Sequence, residues 1–283
     1  MSAVVTSLFR FPVKSMMGES PDSLQITERG TVGDRAWAVR DEVRGGIRGG
    51  KKIPALMKLS ASFTGAVDEG SSPARITAPD GDTRDTSADD INQWLSEKLE
   101  HEVTLWPLLP EDALDHYRRG APDKEDFEAE LRDIFARTPD EPLPDLALFA
   151  EVLEYESPPG TYFDAFPILL MTQQSLHSMG AHRPESQFDV SRFRPNILLD
   201  VAGSDHPFPE QQWAGKQVRV GETVLEIVGD CPRCAMTTHG FADLPRDPGI
   251  MRALVQANGG NLGAYAKVLS AGEVRLGDTL ELL

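Results

Sequence analysis

The sequence is poor in cysteine and has no long apolar run. Two cysteines among 283 residues argue against a disulfide framework and are typical of a reducing compartment. No apolar stretch approaches the ~18 residues that a membrane-spanning helix needs. The N-terminus also lacks a basic segment followed by an apolar one, so we expect no secretion signal. These absences predict a cytoplasmic protein without a membrane partner.

Basic residues are also scarce relative to acidic ones. The chain has 28 Lys and Arg against 45 Asp and Glu, for a formal net charge of −17. Such a surface repels nucleic acid, so we expect no nucleic-acid partner. The acid is concentrated between residues 111 and 156, whereas "FRFPVKS", "GDRAWAVRDEVRGGIRGGKK" and "SRFRPN" are locally basic. These patches are either solvated surface charge or sites for a small anion.

Short strands separated by turn residues dominate both ends of the chain, at positions such as 3–11 and 22–28. Two helices interrupt them. The first follows Ser87 as a predicted N-cap, and "DKEDFEAELRDIFAR" places apolar residues on one face of the second. The pattern predicts a mainly β (α+β) fold with two barrel-like units and an acidic helical insertion. We predict these boundaries: 1–107 for the first unit, 108–160 for the insertion and 161–283 for the second unit.

The two cysteines lie in one stretch, "GDCPRCAMTTHG", with His239 five residues after the second. Cys231 and Cys234 have the spacing of half a zinc site, but the remaining histidines are scattered and offer no second pair. A redox dithiol needs a helix start after the pair, which Pro232 and "AMTT" do not favour. Inert buried thiols and a single thiolate that binds a soft metal or carries sulfur both remain open.

Three cations lie at strand and loop ends in both units. Lys14 precedes Ser15 in the loop "PVKS", and Arg35 stands near the start of a strand. Arg194 precedes Pro195, which predicts an extended backbone for it. Guanidinium groups bind phosphate through paired donors, so these cations predict a grip on a phosphate-bearing ligand if the fold brings them together.

Five motifs, in order, resemble those of the MOSC-domain proteins that carry an N-terminal MOSC-type β-barrel. The layout is closest to the amidoxime-reducing components and their bacterial relatives. The motifs are "FPVKS" at 11–15, "GDRAW" at 33–37, "FPILLMTQQSL" at 166–176, "FRPNILLD" at 193–200 and "CPRCAMTT" at 231–238. The resemblance implies that 1–107 is the MOSC N-terminal β-barrel domain and 161–283 the MOSC domain. It also implies a molybdenum cofactor, a pterin with a dithiolene and a phosphate, at their junction.

The resemblance assigns roles to individual residues. Cys234 matches the thiolate ligand of molybdenum and is a catalytic candidate. Arg194 matches the arginine at the phosphate end of the cofactor. The cofactor contacts expected by this resemblance come from Lys14, Ser15, Arg35, Ala165, Phe166, Arg194, Asn196, Arg233 and Tyr265.

The chain departs from this family pattern after "TT". The stretch "HGFADLPRDPG" replaces a Val-Asp-Pro-like segment, and it places His239 beside the expected metal. There a histidine could contact substrate or carry a proton, so His239 is a second catalytic candidate; the alternative is a histidine in a solvent-facing loop. The insertion is also longer than the family pattern leads us to expect.

The resemblance predicts a molybdenum-dependent oxidoreductase that reduces small N-hydroxylated or N-oxide compounds. Two cysteines cannot supply the four thiolates of a cysteine-bound iron–sulfur centre. We therefore expect electrons from a separate donor protein: a flavin reductase, a ferredoxin or a cytochrome. Two alternatives remain. One is a sulfur carrier or transferase, with a persulfide on Cys234 or cofactor held there for delivery; the other is a non-catalytic binding module.

Overall fold

The computed structural model describes residues 2–146 and 154–283. Part of the predicted insertion, 147–153, lies outside the described residues. The described chain is mainly β, which confirms the predicted fold class. Within the described ranges, no helix combines the length and apolar character that a membrane crossing requires.

Seven strands form a closed barrel. Six come from the second half of the chain, and the seventh is the first strand of the protein. In order around the barrel they are β1 (Ser2–Leu8), β10 (Ile197–Ala202), β9 (Ile168–Thr172), β13 (Asn261–Ser270), β12 (Thr223–Pro232), β11 (Gln217–Val220) and β15 (Thr279–Leu282).

The first strand joins the two halves of the sequence. It runs antiparallel to β10 on one side and to β15 on the other. Among the described strands of the barrel, β9 and β10 are the one parallel pair. Because side chains alternate along a strand, Ala3 and Val5 face the barrel interior, where they are 4% and 2% exposed. The barrel core therefore includes residues from the N-terminal unit, while the boundaries of 1–107, 108–160 and 161–283 stay predictions.

The remaining strands form three small sheets. The first contains β2 (Ser23–Thr27), β3 (Gly30–Thr31) and β14 (Gly272–Arg275), and it also joins the two halves of the chain. The second pairs β4 (Trp37–Asp41) with β8 (Val103–Pro107). The third holds β5 (Ser60–Phe63), β6 (Ala74–Thr77) and β7 (Thr83–Asp85).

Five α-helices lie in the described residues. They are α1 (Ile91–Leu99), α2 (Leu114–Tyr117), α3 (Phe127–Ile134), α4 (Gln173–His182) and α5 (Gly249–Asn258). Short 3-10 helices span Pro54–Lys58, Val190–Arg192, Pro209–Trp213 and Ala235–Thr238. The helix α3 confirms the helical part of the predicted insertion.

Several local predictions need correction. Asp90, not Ser87, occupies the N-cap position of α1, and its side chain makes no cap hydrogen bond. The short-strand pattern also predicts extended chain within 55–67, but Pro54–Lys58 form a 3-10 helix. The sequence analysis did not predict α5, although Gly259 after its last residue adopts the left-handed conformation that ends many helices. In 264–283 the pattern predicts two strands across a Gly-Asp turn, but parts of three strands, β13, β14 and β15, lie there.

The position of β1 in the barrel predicts that a charge at Val5 disrupts the C-terminal half of the protein. Val5→Asp would bury an unpaired carboxylate among apolar side chains, which costs about 4 kcal/mol or more. We expect the variant to lose cooperative thermal unfolding. Near-UV circular dichroism during heating measures this loss. Thr6→Asp is the matched control because Thr6 is exposed on the same strand. A Val5→Asp protein that melts like the wild type would contradict the placement of β1.

Candidate functional site

A cavity of about 400 Å³ lies where the N-terminal unit, the insertion and the barrel meet. Its wall brings together every site residue that the sequence predicts except His239. Those on the wall are Lys14, Ser15, Arg35, Ala165, Phe166, Arg194, Asn196, Arg233, Cys234 and Tyr265. Residues separated by up to 251 positions in the sequence therefore share one site.

The wall of the cavity is basic although the protein is acidic. Nine Lys and Arg side chains line it, against three Asp and Glu, in a chain whose net charge is −17. Confined positive charge of this kind attracts an anionic ligand. Lysines and arginines that the sequence analysis did not assign to the site also line the wall: Arg48, Lys51, Lys52, Arg119 and Arg192.

Lys14 and Lys51 share the carboxylate of Asp164. The Lys14 ammonium is buried and lies 2.9 Å from Asp164 Oδ1, 2.8 Å from the Tyr162 carbonyl and 3.3 Å from Ser157 Oγ. Lys51 Nζ lies 3.3 Å from the same carboxylate oxygen. Burial lowers the pKa of Lys14, with Asp164 acting against the shift. Burial would raise the pKa of Asp164, but the two ammonium groups hold it well below its usual value, so the carboxylate stays charged.

Arg194 is buried with one donor left unsatisfied. Its Nη1 donates to the Met16 carbonyl at 2.5 Å, and its guanidinium carbon lies 4.0 Å from the centre of the Phe11 ring. Its Nη2 is buried and has no hydrogen-bond partner. Burial, together with the charge of Arg35, lowers the pKa of Arg194 to about 9. An anion in the cavity would balance the charge of the Arg194 guanidinium and accept a hydrogen bond from its Nη2.

Three wall residues other than glycine adopt a positive φ. The angles are 68° for Ser15, 52° for Arg35 and 55° for Arg194. The extended backbone predicted for Arg194 is therefore wrong: tertiary contacts override the preference that the following proline imposes. Left-handed backbone in such residues is uncommon and is often found at binding sites, where the surrounding structure compensates its cost.

The carboxylate of Asp34 accepts hydrogen bonds from residues of both units, Arg35 among them. One carboxylate oxygen accepts the Phe11 amide at 2.7 Å, and the other accepts Arg35 Nη1 and Asn196 Nδ2, the latter at 3.0 Å. Asn196 Oδ1 in turn accepts the Leu169 amide at 3.1 Å. The side chain of Asn196 is thus committed to protein partners, and its contribution to the site is to position its neighbours.

The two cysteines occupy different environments. Cys231 is 2% exposed, and its sulfur lies 2.9 Å from Arg233 Nη1. Burial raises the pKa of the Cys231 thiol, with the Arg233 charge acting against it. Both cysteines line the cavity, but Cys234 is only partly buried. Cys234 is therefore the accessible thiol of the pair.

Arg233 extends the positive wall beside Cys234. Its Nη2 donates to the Phe193 carbonyl at 2.6 Å, while its Nε is buried without a hydrogen-bond partner. On the same side of the cavity, the rings of Phe166 and Tyr265 lie 5.2 Å apart. Burial raises the pKa of Tyr265 well above 10, which keeps its phenol protonated at neutral pH.

Arg192 holds the segment that follows Cys234. Its side chain is completely buried and donates to four backbone carbonyls, those of Gln187 (3.0 Å), Thr237 (3.2 Å), His239 (2.8 Å) and Pro245 (2.8 Å). In "SRFRPN" the family resemblance gives a role only to the second arginine, Arg194. Arg192 stands two positions before Arg194, which is a predicted ligand contact, and this proximity was the available sequence signal for Arg192.

His239 does not line the cavity. Its Nε2 lies 3.0 Å from the Gly50 carbonyl, and burial lowers the pKa of its imidazole. This contact joins the segment after Cys234 to the "GGKK" loop of the N-terminal unit. The role of His239 in substrate contact or proton transfer stays a prediction, and its side chain is placed as a structural link.

Family comparisons agree with this two-part layout. The MOSC N-terminal beta barrel domain matches residues 2–87, and the MOSC domain matches residues 158–281. The chain is a MOSC-domain protein. Both matched regions contribute to the wall of the cavity, Lys14 and Arg35 from the first and Arg194 and Cys234 from the second.

Curated relatives of this MOSC-domain protein fall into two groups. Mitochondrial amidoxime-reducing component 1 of Danio rerio is 27% identical over 257 residues, 83% of this chain and 68% of the relative. Mitochondrial amidoxime reducing component 2 of Bos taurus is 24% identical over 83% of this chain and 66% of its own length. A molybdenum cofactor sulfurase of Drosophila grimshawi is 30% identical over 94 residues, 33% of this chain and 11% of the relative. The chain thus spans about two thirds of the reducing components and a tenth of this sulfurase.

The hydrogen bonds of Arg192 predict a large effect on stability. Arg192→Met would leave four backbone carbonyls without the Arg192 donor, and we expect the free energy of unfolding to fall by about 3 kcal/mol. Chemical denaturation measures this change. Arg75→Met is the control, because Arg75 is half-exposed and pairs with Asp85 at the surface; its unfolding should be nearly unchanged. Equal stability of the two variants would refute the role assigned to Arg192.

Proposed function

We propose that this MOSC-domain protein binds a molybdenum cofactor in the cavity and reduces small N-hydroxylated or N-oxide compounds. The observation that carries the proposal is the meeting of a partly exposed thiol, Cys234, with buried cationic side chains in one cavity. The similarity to amidoxime-reducing components supports the same class of reaction.

The residues of the cavity fit such a cofactor. Arg194 Nη2 and Arg233 Nε are buried donors without a protein partner, and leaving such a donor unsatisfied costs about 1–3 kcal/mol. Phosphate and pterin oxygens are acceptors that would satisfy them. Lys14, with Asp164 balancing part of the charge, would support the phosphate as a point charge.

Cys234 is the thiol placed to ligate the metal. A thiolate is a soft, electron-rich donor that suits a high-valent metal. The bound cofactor would supply the two-electron oxygen-transfer chemistry. Cys231 differs, since burial keeps it a neutral thiol beside Arg233, and we assign it a packing role.

The reaction needs electrons from outside this chain. Reduction of an N-hydroxyl group to N–H consumes two electrons and two protons and releases one water. The two cysteines of the chain cannot build a four-cysteine iron–sulfur centre. We therefore propose a separate electron-donor protein: a flavin reductase, a ferredoxin or a cytochrome.

A sulfur carrier is the second candidate. The exposure of Cys234 would also permit a persulfide, and the match to a molybdenum cofactor sulfurase supports this alternative. Mass spectrometry distinguishes the two: one additional sulfur atom on Cys234 in a protein without molybdenum would favour the carrier.

Metal and pterin analysis tests the main proposal. Protein from a molybdate-supplied host should contain both molybdenum and pterin. We expect Cys234→Ser to lose most of the metal and Arg194→Met to lose both metal and pterin, because the first removes a metal ligand and the second a buried phosphate donor. Arg75→Met, at the surface, should retain the wild-type content.

Activity provides the complementary measurement. Reduction of benzamidoxime with a chemical electron donor should disappear in Cys234→Ala. The proposal fails if the wild-type protein contains no molybdenum and Cys234→Ala still reduces benzamidoxime.

A further inference from the structure

The insertion supplies a wall of the cavity that differs chemically from the others. We call it the insertion wall, and it consists of Phe127, Leu131, Ile134, Phe135 and Leu146. The first four follow helical spacing, so they lie on one face of α3 and its C-terminal extension. Phe127 is 65% exposed although it is large and apolar. An apolar side chain left open to a cavity is available for a ligand.

Most charged residues of the cavity wall lie outside α3. Among the α3 residues on the wall, Glu130 alone is charged, and its carboxylate pairs with Lys52. The unsatisfied donors of Arg194 and Arg233 belong to the barrel side. A ligand with a polar or anionic part is matched on that side, which leaves the insertion wall for an apolar group.

Both units hold α3 in place. At its start, Asp126 caps the helix by accepting the Ala129 amide at 2.6 Å, and the Glu130–Lys52 pair joins it to the N-terminal unit. Beyond its end, Glu141 pairs with Arg252 of α5 at 2.9 Å. The insertion wall is therefore anchored at both ends, as a binding surface with fixed geometry requires.

The insertion also reaches the Cys234 segment. The buried guanidinium of Arg137, three residues after α3, packs so closely on Gly260 that a Cβ there would clash with it. The Gly260 carbonyl accepts the amide of Arg233, next to Cys234, at 2.9 Å. This chain of contacts places the insertion beside the proposed metal ligand.

We propose that the insertion wall is a substrate subsite that selects N-hydroxylated compounds carrying an aromatic or branched aliphatic group. The proposal rests on the proposed function for the reaction, and it assigns the choice of substrate to the insertion. The apolar group of the substrate packs against Phe127 and Leu131, and its N–O group points towards the Cys234 side.

Two substrates of different apolar size test the proposal. We use benzamidoxime and acetamidoxime, which share the reacting group, and measure their dissociation constants by calorimetry on the protein as purified. The wild type should bind benzamidoxime at least about tenfold more tightly, since burying a phenyl ring on an apolar wall gains more than the ~1.4 kcal/mol that a factor of ten represents.

Substitutions on the wall should reduce this preference without affecting acetamidoxime. We expect Leu131→Ser and Phe127→Ser each to weaken benzamidoxime binding about fivefold to tenfold. Phe127 is exposed, so its substitution keeps the test open if Leu131→Ser fails to fold. Leu269→Ser is the matched control, because Leu269 is 46% exposed on β13 and is not part of the cavity wall.

The two proposals fail in different ways. The insertion wall is not a subsite if the wild type binds the two amidoximes equally tightly. The same conclusion follows if folded Phe127→Ser keeps the wild-type preference for benzamidoxime over acetamidoxime. Metal analysis of the same samples reports on the proposed function: absence of molybdenum contradicts the reductase, whereas the binding preference is measured without turnover.

Discussion

Buried positive charge at the junction of the two units is the constraint on which the site depends. Lys14, Arg194 and Arg233 each lie below 10% exposure, where an unpaired charge is costly. The fold offsets this cost with Asp164, with backbone carbonyls and with the ring of Phe11. The compensation is incomplete, since two guanidinium nitrogens stay unsatisfied. Because these two donors lack an acceptor in the protein, the cavity is suited to an anionic ligand.

Strands shared between the two units fix the positions of these charged side chains relative to one another. Strand β1 completes the barrel, and β14 pairs with β2 of the N-terminal unit. The loop that carries Lys14 and Ser15 follows β1 directly, so closure of the barrel also positions this loop. Asp34 and Asn196 add a hydrogen bond across the same junction. The barrel and the cavity wall therefore share strand pairing and hydrogen bonds from both halves of the chain.

Much of the site was predictable from residue chemistry and motif order. The family resemblance led to ten residues that line one cavity, eight of them within the five motifs, and the helix at 127–134 followed from apolar spacing. Local patterns failed where distant contacts decide. Arg194 takes a positive φ despite the following proline. The sequence shows that the stretches holding Arg48, Lys51 and Lys52 are basic, but not that these side chains line the cavity, because their placement depends on loop packing.

The sequence by itself determined the mainly β class, the family motifs and the types of donor available: two closely spaced thiols, and cations at strand ends. These follow from composition, periodicity and short-range spacing. Only the tertiary structure decided that β1 belongs to the C-terminal barrel, that Arg192 braces the segment after Cys234, and that α3 faces the cavity with its apolar side. Each of these depends on pairing between residues far apart in the chain, and local preferences do not encode which distant surfaces meet.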